Sequence, residues 1–299
     1  MATIAWESLP AAHVAAIEDR TGPVVKAEPV TGGLMPGLAV IIHAGDGQRY
    51  FVKAAPEGNP AHHLYARELA ANAAMPDSTP APRMRWASVD GGWAVMLFDY
   101  LDARTADLSP GSDDVPRVLS MLRAVGFAPA WDGTPPVAVH VAGLQVKAAK
   151  MLGRLPAGEL RDLYAAAVDG FDIGALEGGR LVHYDLHPGN LKITRGGEAV
   201  AVDWPFAGAG APWVDAALLV PRLVTAGHTP GGAERLVSAL PAWQAGYDAR
   251  AVTGLAALWT LFREYKALYG PPDARKARTL AVQAGQAWIR YRMNARVGR

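Results

Sequence analysis

A chain of 299 residues exceeds the usual size of a single hydrophobic core, so two packed domains are expected. Hydrophobic residues at 51% and charged residues at 19% exclude a disordered chain, and a formal net charge of +1 excludes a global field that would gather nucleic acid or an anionic membrane. The absence of cysteine removes disulfides, thiolate nucleophiles and cysteine-bound zinc.

The opening residues, MATIAWESLPAAHVAAIEDR, mix acids into their apolar pattern and lack a basic start before an apolar run, so no signal peptide is expected. No later stretch is apolar for long enough to span a bilayer, and a cytoplasmic protein is the expectation.

The first third reads as strands. PVVKAEPV (23–30), GLAVIIHA (37–44) and RYFVKAA (49–55) are short and rich in β-branched residues, with the turn formers TGGLMPG and GDGQ between them, the pattern of an antiparallel meander. A helix over 60–75 follows, with Leu64, Leu69 and Ala73 on a shared face and Pro76 as its stop. RMRWASV and GWAVMLFDY read as two more strands joined through Asp90, Gly91 and Gly92.

From Asp113 onward the period is helical, with helices expected over 115–127, 142–152, 158–168, 214–225, 255–268 and 275–294. DLSPGSDDVP and GGAERL read as loops. One hairpin interrupts the helices, with strands over 191–194 and 199–203 around Arg195, Gly196 and Gly197. The change of period places the domain boundary at 98–102, giving an N-terminal domain over 1–98 and a C-terminal domain over 99–299.

The chemistry concentrates in HYDLHPGN, residues 183–190, directly before that hairpin, and in VDW, residues 202–204, directly after it. A His-x-Asp followed by four residues and Asn, with a further Asp one hairpin later, is the spacing of a phosphoryl-transfer loop. Such transfer asks the protein for positioning and charge neutralisation. Asp185 is the candidate base for an acceptor hydroxyl. Asn190 and Asp203 offer hard oxygens suited to Mg²⁺. Lys53 sits in an apolar strand, where a lysine needs a partner, and Glu68 on the following helix is the candidate.

HYDLHPGN, VDWPFAGAGAPWVD and the order of the upstream elements resemble the aminoglycoside phosphotransferase and choline kinase branch of the protein kinase-like fold. Members commonly read His-Gly-Asp-Leu-His-Pro-Gly-Asn; here Tyr184 stands at the glycine, and Ala211 precedes Pro212 where Asp is common. The resemblance implies an α+β bilobal fold, with an antiparallel sheet and one long helix in the N-terminal lobe and a mostly helical C-terminal lobe. It implies Gly32 and Gly33 over the phosphates, the pair Lys53 and Glu68 against them, Asp99, Tyr100 and Leu101 as a hinge for the base, and His183 and Asp215 as structural support. The implied activity is ATP- or GTP-dependent, Mg²⁺-dependent phosphorylation of a hydroxyl on an antibiotic or sugar-like metabolite. A kinase of choline, homoserine or a ribose derivative, and a nucleotide-binding pseudokinase, are the alternatives.

Plainer readings stand beside these. Asp near Gly and Pro is commonly a cap or turn former, and His187 before Pro188 and Gly189 reads as a turn residue. His62 and His63 point to different faces of a helix and lack a third ligand. Trp86 and Trp93 read as cross-strand packing, Trp259 and Trp288 as helix core, and Trp131, Trp213 and Trp243 as candidate acceptor-pocket walls. The arginine-rich tail from Arg275 reads as a solvated basic face, without the platforms of a nucleic-acid site. A polycationic acceptor would want carboxylates, and Asp132, Asp215 and Glu264 make a thin supply.

Overall fold

The computed structural model describes residues 4–30 and 35–297. The chain divides into two compact units, Met1–Arg104 with Lys192–Phe206, and Thr105–Leu191 with Ala207–Arg299.

The first unit opens on helix α1 (Ala11–Thr21), followed by β1 (Val24–Pro29), β2 (Leu38–Ala44), β3 (Arg49–Pro56), α2 (His62–Ala74), β4 (Met84–Ser88) and β5 (Trp93–Asp99). The five strands form one antiparallel sheet in the order β1-β2-β3-β5-β4. Side chains alternate across a strand, so each face has its own core. Leu38, Val40, Ile42, Val52 and Leu97 pack with Ile17 of α1, and Ala55, Met96 and Phe98 pack with Tyr65 of α2. Lys53 lies opposite Ala39 and Met96 in the register, which assigns it to the α2 face.

Two sequence expectations need correction here. Helix α1 forms where no element was assigned. The buried face of α2 is Tyr65, Glu68 and Ala71, while Leu64 and Leu69 are only partly buried and Ala73 is exposed. A carboxylate takes an apolar position there because Lys53 neutralises it from the sheet. Gly32 and Gly33 lie outside the described residues. Gly37, from the same turn, is required by close approach: a Cβ there would stand 2.6 Å from the ring of Tyr65.

β6 (Ala103–Thr105), β8 (Leu191–Thr194) and β9 (Ala199–Ala201) form a three-stranded sheet in the order β6-β8-β9. β9 ends at Ala201, two residues short of the strand expected over 199–203.

The second unit is mostly helical: α3 (Asp114–Phe127), α4 (Val137–Arg154), α5 (Glu159–Val168), α6 (Val214–Thr225), α7 (Pro230–Ser238), α8 (Pro241–Gln244), α9 (Ala249–Tyr269) and α10 (Arg275–Val297). α9 packs against α4, α5 and α10 and is buried without interruption from Ala251 to Leu261, as an all-round apolar helix requires. α4 and α9 start five or six residues before their expected positions.

GGAERL, read as a loop, is part of α7: Thr229 caps it by accepting from the Gly232 N–H at 3.1 Å, and Pro230 takes the first turn. A second strand pair, β7 (Arg180–Val182) with β10 (Gly208–Gly210), escaped the sequence reading because three residues carry no period. The tail is not uniformly solvated. Arg292 is 5% exposed and ion-paired to Glu234 at 2.7 Å. No helix among the described residues is long and apolar enough to cross a membrane.

Candidate active site

In the first unit three charged groups meet. Lys53 Nζ lies 2.7 Å from Glu68 Oε2 and 2.8 Å from Asp203 Oδ1, with the Tyr65 ring 5.5 Å away. Burial opposes the lysine charge, but the carboxylates of Glu68 and Asp203 outweigh it and raise its pKa. Burial raises the Glu68 pKa; Lys53 works against that rise and Asp203 adds to it. One ammonium therefore serves two carboxylates. Glu68 is enclosed, with a side chain only 3% exposed, whereas that of Asp203 is 43% exposed.

Asp203 owes its direction to the backbone. Its φ is 69°, a region non-glycine residues seldom adopt. The buried indole of Trp204 holds the next residue by donating to the Ala201 carbonyl at 2.9 Å. Asp99 ends β5 and is ion-paired to Arg85 at 2.5 Å; the Tyr100 ring carries the Arg49 guanidinium 3.9 Å from its centroid, and Leu101 is partly buried.

In the second unit, residues 183–190 leave β7 and are fixed by main-chain bonds. Asp215, in the first turn of α6, accepts from the His183 N–H at 2.7 Å and from the Tyr184 N–H at 2.8 Å. Burial raises its pKa, and His183 with those two amides pulls it back. His183 is fully buried and its Nδ1 accepts from the Asp185 N–H at 3.3 Å. The Asp185 carbonyl then accepts from the His187 N–H at 2.9 Å and the Asn190 Nδ2 at 3.0 Å. His187 is the turn residue its neighbours suggest, its Nδ1 accepting from the Gly189 N–H at 3.0 Å.

The loop thus uses its backbone for support and spares one carboxylate. Among the described residues only the His187 imidazole, at 4.0 Å, comes within ion-pair reach of Asp185, whose side chain is 26% exposed. Asn190 is 5% exposed and its amide nitrogen donates to the Asp185 carbonyl, so Oδ1 is the acceptor its side chain has to offer. Among the described residues no three His, Cys, Asp or Glu side chains gather to hold a metal alone. A carboxylate oxygen and a carboxamide oxygen are each hard donors of the kind Mg²⁺ accepts.

Tyr184 also has positive φ, 72°, and this explains why glycine suits the position. It is 5% exposed and packs between His140 and Trp259, with ring centroids 5.2 and 5.5 Å away. Trp213 and Trp243, read as pocket walls, are 1% and 4% exposed and belong to the core. The residues missed from the sequence are Arg222 and Arg263, both of which place a guanidinium over Trp259. Their signal was an arginine inside an apolar helical run, VPRLV and TLFREY.

A search of curated proteins finds no match. Solved structures match over nearly the whole chain. An aminoglycoside phosphotransferase from Alicyclobacillus acidocaldarius subsp. acidocaldarius DSM 446 is 16% identical, with 96% of each chain covered and a TM-score of 0.64. The choline kinase LicA from Streptococcus pneumoniae is 17% identical, covering 93% of this chain and 99% of its own, at a TM-score of 0.62. A thermostable mutant of aminoglycoside phosphotransferase APH(4)-Ia, in ternary complex with AMP-PNP and hygromycin B, is 15% identical over 94% and 98%, at 0.57. The fold is the protein kinase-like one that the resemblance implied. A family model described as the phosphotransferase enzyme family matches residues 29–265, most of the chain, and the protein belongs to that family.

Proposed function

We propose that the protein transfers the γ-phosphate of ATP or GTP to a hydroxyl of a small molecule, with Asp185 as the base. The observation that carries this reading is the state of Asp185: a partly exposed carboxylate that makes no ion pair shorter than 4.0 Å among the described residues, on a loop anchored through Asp215. The acceptor O–H gives its proton to Asp185, the acceptor oxygen bonds to the γ-phosphorus, and the bridging bond to the β-phosphate breaks to release the nucleoside diphosphate. Positioning and charge supply most of the acceleration.

Lys53, held by Glu68, is assigned to the α- and β-phosphates, and Asp203 and Asn190 to Mg²⁺, which when bound offsets the charge of the phosphates. Gly32 and Gly33 are assigned to the phosphate turn, and the backbone of Asp99, Tyr100 and Leu101 to the base. The first unit would then serve the nucleotide and the second the acceptor. AMP-PNP in the APH(4)-Ia complex supports ATP as donor, and hygromycin B in the same complex supports a hydroxylated small molecule as acceptor. Retention of Lys53, Glu68, Asp185, Asn190 and Asp203 favours turnover over a pseudokinase.

Calorimetric titration with MgATP tests the donor half. Asp203→Ala is expected to abolish Mg²⁺-dependent binding, and wild-type affinity in that variant would refute the assignment.

A further inference from the structure

The second unit carries donors beside Asp185 that phosphoryl transfer does not use. The Trp259 indole is their centre: the guanidinium carbons of Arg263 and Arg222 lie 5.0 and 5.9 Å from its ring, and Tyr184, the neighbour of Asp185 in the chain, packs at 5.5 Å. Tyr184 Oη, Trp259 Nε1, Arg222 Nε and Arg263 Nε are all buried, and none has a hydrogen-bond partner among the described residues. Tyr184 and Trp259 are 5% and 8% exposed.

The attraction of a guanidinium to an indole ring does not satisfy its N–H donors, which still need acceptors. A buried donor left so loses its hydration and gains no partner, and a charged one loses more, which makes four in one cluster an unfavourable arrangement for packing alone. The charges are also unbalanced. Burial lowers the Arg222 pKa to about 9, Arg263 pushes the same way, and only Asp185 opposes. Burial lowers that of Arg263, with Asp185 against it and Arg278 adding to it. Lys147 Nζ stands 5.3 Å over the ring of Phe262, and Lys266 feels Arg278, Lys147 and Arg263 as repulsive neighbours. Of the nearby acids, Glu264 is engaged with Tyr164 at 3.4 Å.

The geometry points to an anion subsite in which Arg222 and Arg263, with Tyr184 Oη and Trp259 Nε1, bind the carboxylate or phosphate of an anionic hydroxylated acceptor. This rests on the phosphotransferase reading, with the acceptor hydroxyl delivered to Asp185. Guanidinium forks match the oxygens of either anion, and a polyamine would meet two uncompensated cations.

The test compares acceptors matched except for charge: glycerol with glycerate and glycerol 3-phosphate, glucitol with gluconate, and 2-aminoethanol and kanamycin as cations. ADP release from MgATP gives kcat and KM, thermal shift without nucleotide reports anion binding, and MgATP affinity is measured separately. The anionic members are expected to exceed their neutral partners by about tenfold or more in kcat/KM, since a hydrogen bond to a charged group contributes about 1.5–3 kcal/mol. The carboxylate and phosphate arms decide which anion is taken.

Arg222→Met and Arg263→Met should each raise the KM for the anion and abolish its thermal shift, and Arg263→Lys should restore part of both. Equal or better turnover of neutral or cationic acceptors overturns the subsite and leaves the kinase reading standing. Absence of any anion-induced shift in the wild type, with no turnover of any anion, also overturns it. Failure to bind MgATP, with an arginine-dependent anion shift intact, removes the kinase reading and keeps the subsite. The wild-type comparisons hold even where a variant fails to fold.

Discussion

Lys53 and Asp203, 150 positions apart in the chain, meet at 2.8 Å, and the same ammonium reaches the enclosed carboxylate of Glu68 at 2.7 Å. A partly exposed carboxylate and a buried one thus share one cation. Removing Lys53 strands Glu68, so Lys53→Met is expected to cost about 3–5 kcal/mol in urea denaturation, the usual penalty for an uncompensated buried charge. Lys53→Met with Glu68→Leu should recover most of it. The lysine pKa is raised by folding, so its contribution is complete below the ordinary 10.5 and is lost only as pH rises through the higher folded value. In the variant Glu68, whose pKa burial already raises, can relieve its uncompensated charge only by taking a proton, so the difference between wild type and variant should not fall as pH rises from about 7 to 10. A single variant as stable as the wild type, or a difference that falls across that window, would refute this role.

Tyr184 separates strain from packing. Glycine would relieve a positive φ worth about 1–3 kcal/mol but would forfeit a buried aromatic worth about 3–5 kcal/mol, so Tyr184→Gly should destabilise by about 2 kcal/mol. Tyr184→Phe removes only a hydroxyl without a partner among the described residues and should leave the melting temperature equal or higher. A clear fall in melting temperature for the phenylalanine variant would show that the hydroxyl is satisfied within the protein.

Asp215 holds two backbone amides at once, and the carboxamide of asparagine can accept from only one of them without reorganising. Asp215→Asn is expected to lose about 1–3 kcal/mol of stability, the cost of one unsatisfied buried N–H. Amide exchange should quicken at His183 and Tyr184 before it does in the sheet of the first unit. Unchanged protection at those two amides would remove Asp215 from its bracing role.

Much of this was legible because local patterns carried it. Short β-branched-rich segments between turn formers gave the five strands, and HYDLHPGN with VDW gave the loop and its carboxylates. The lysine and glutamate pair was readable as well, since a lysine in an apolar strand demands a counter-charge. What escaped depended on tertiary context. The inward turn of Glu68 shifted the buried face of α2. Three-residue strands such as β7 and β10 have too few positions to show a period. Arg222 and Arg263 look like any arginine on a helix until the packing of α6 and α9 brings both to Trp259. Tyr184 was visible as a departure from glycine, but its meaning required the backbone angle and its neighbours.

The central claim is that Asp185 acts as the base of phosphoryl transfer. Its most direct test is ADP release with the hydroxylated acceptor panel in wild type and Asp185→Asn, with MgATP affinity measured on both proteins. Turnover is expected to fall by about a hundredfold or more in the variant while nucleotide affinity is retained. Turnover equal to the wild type would contradict it.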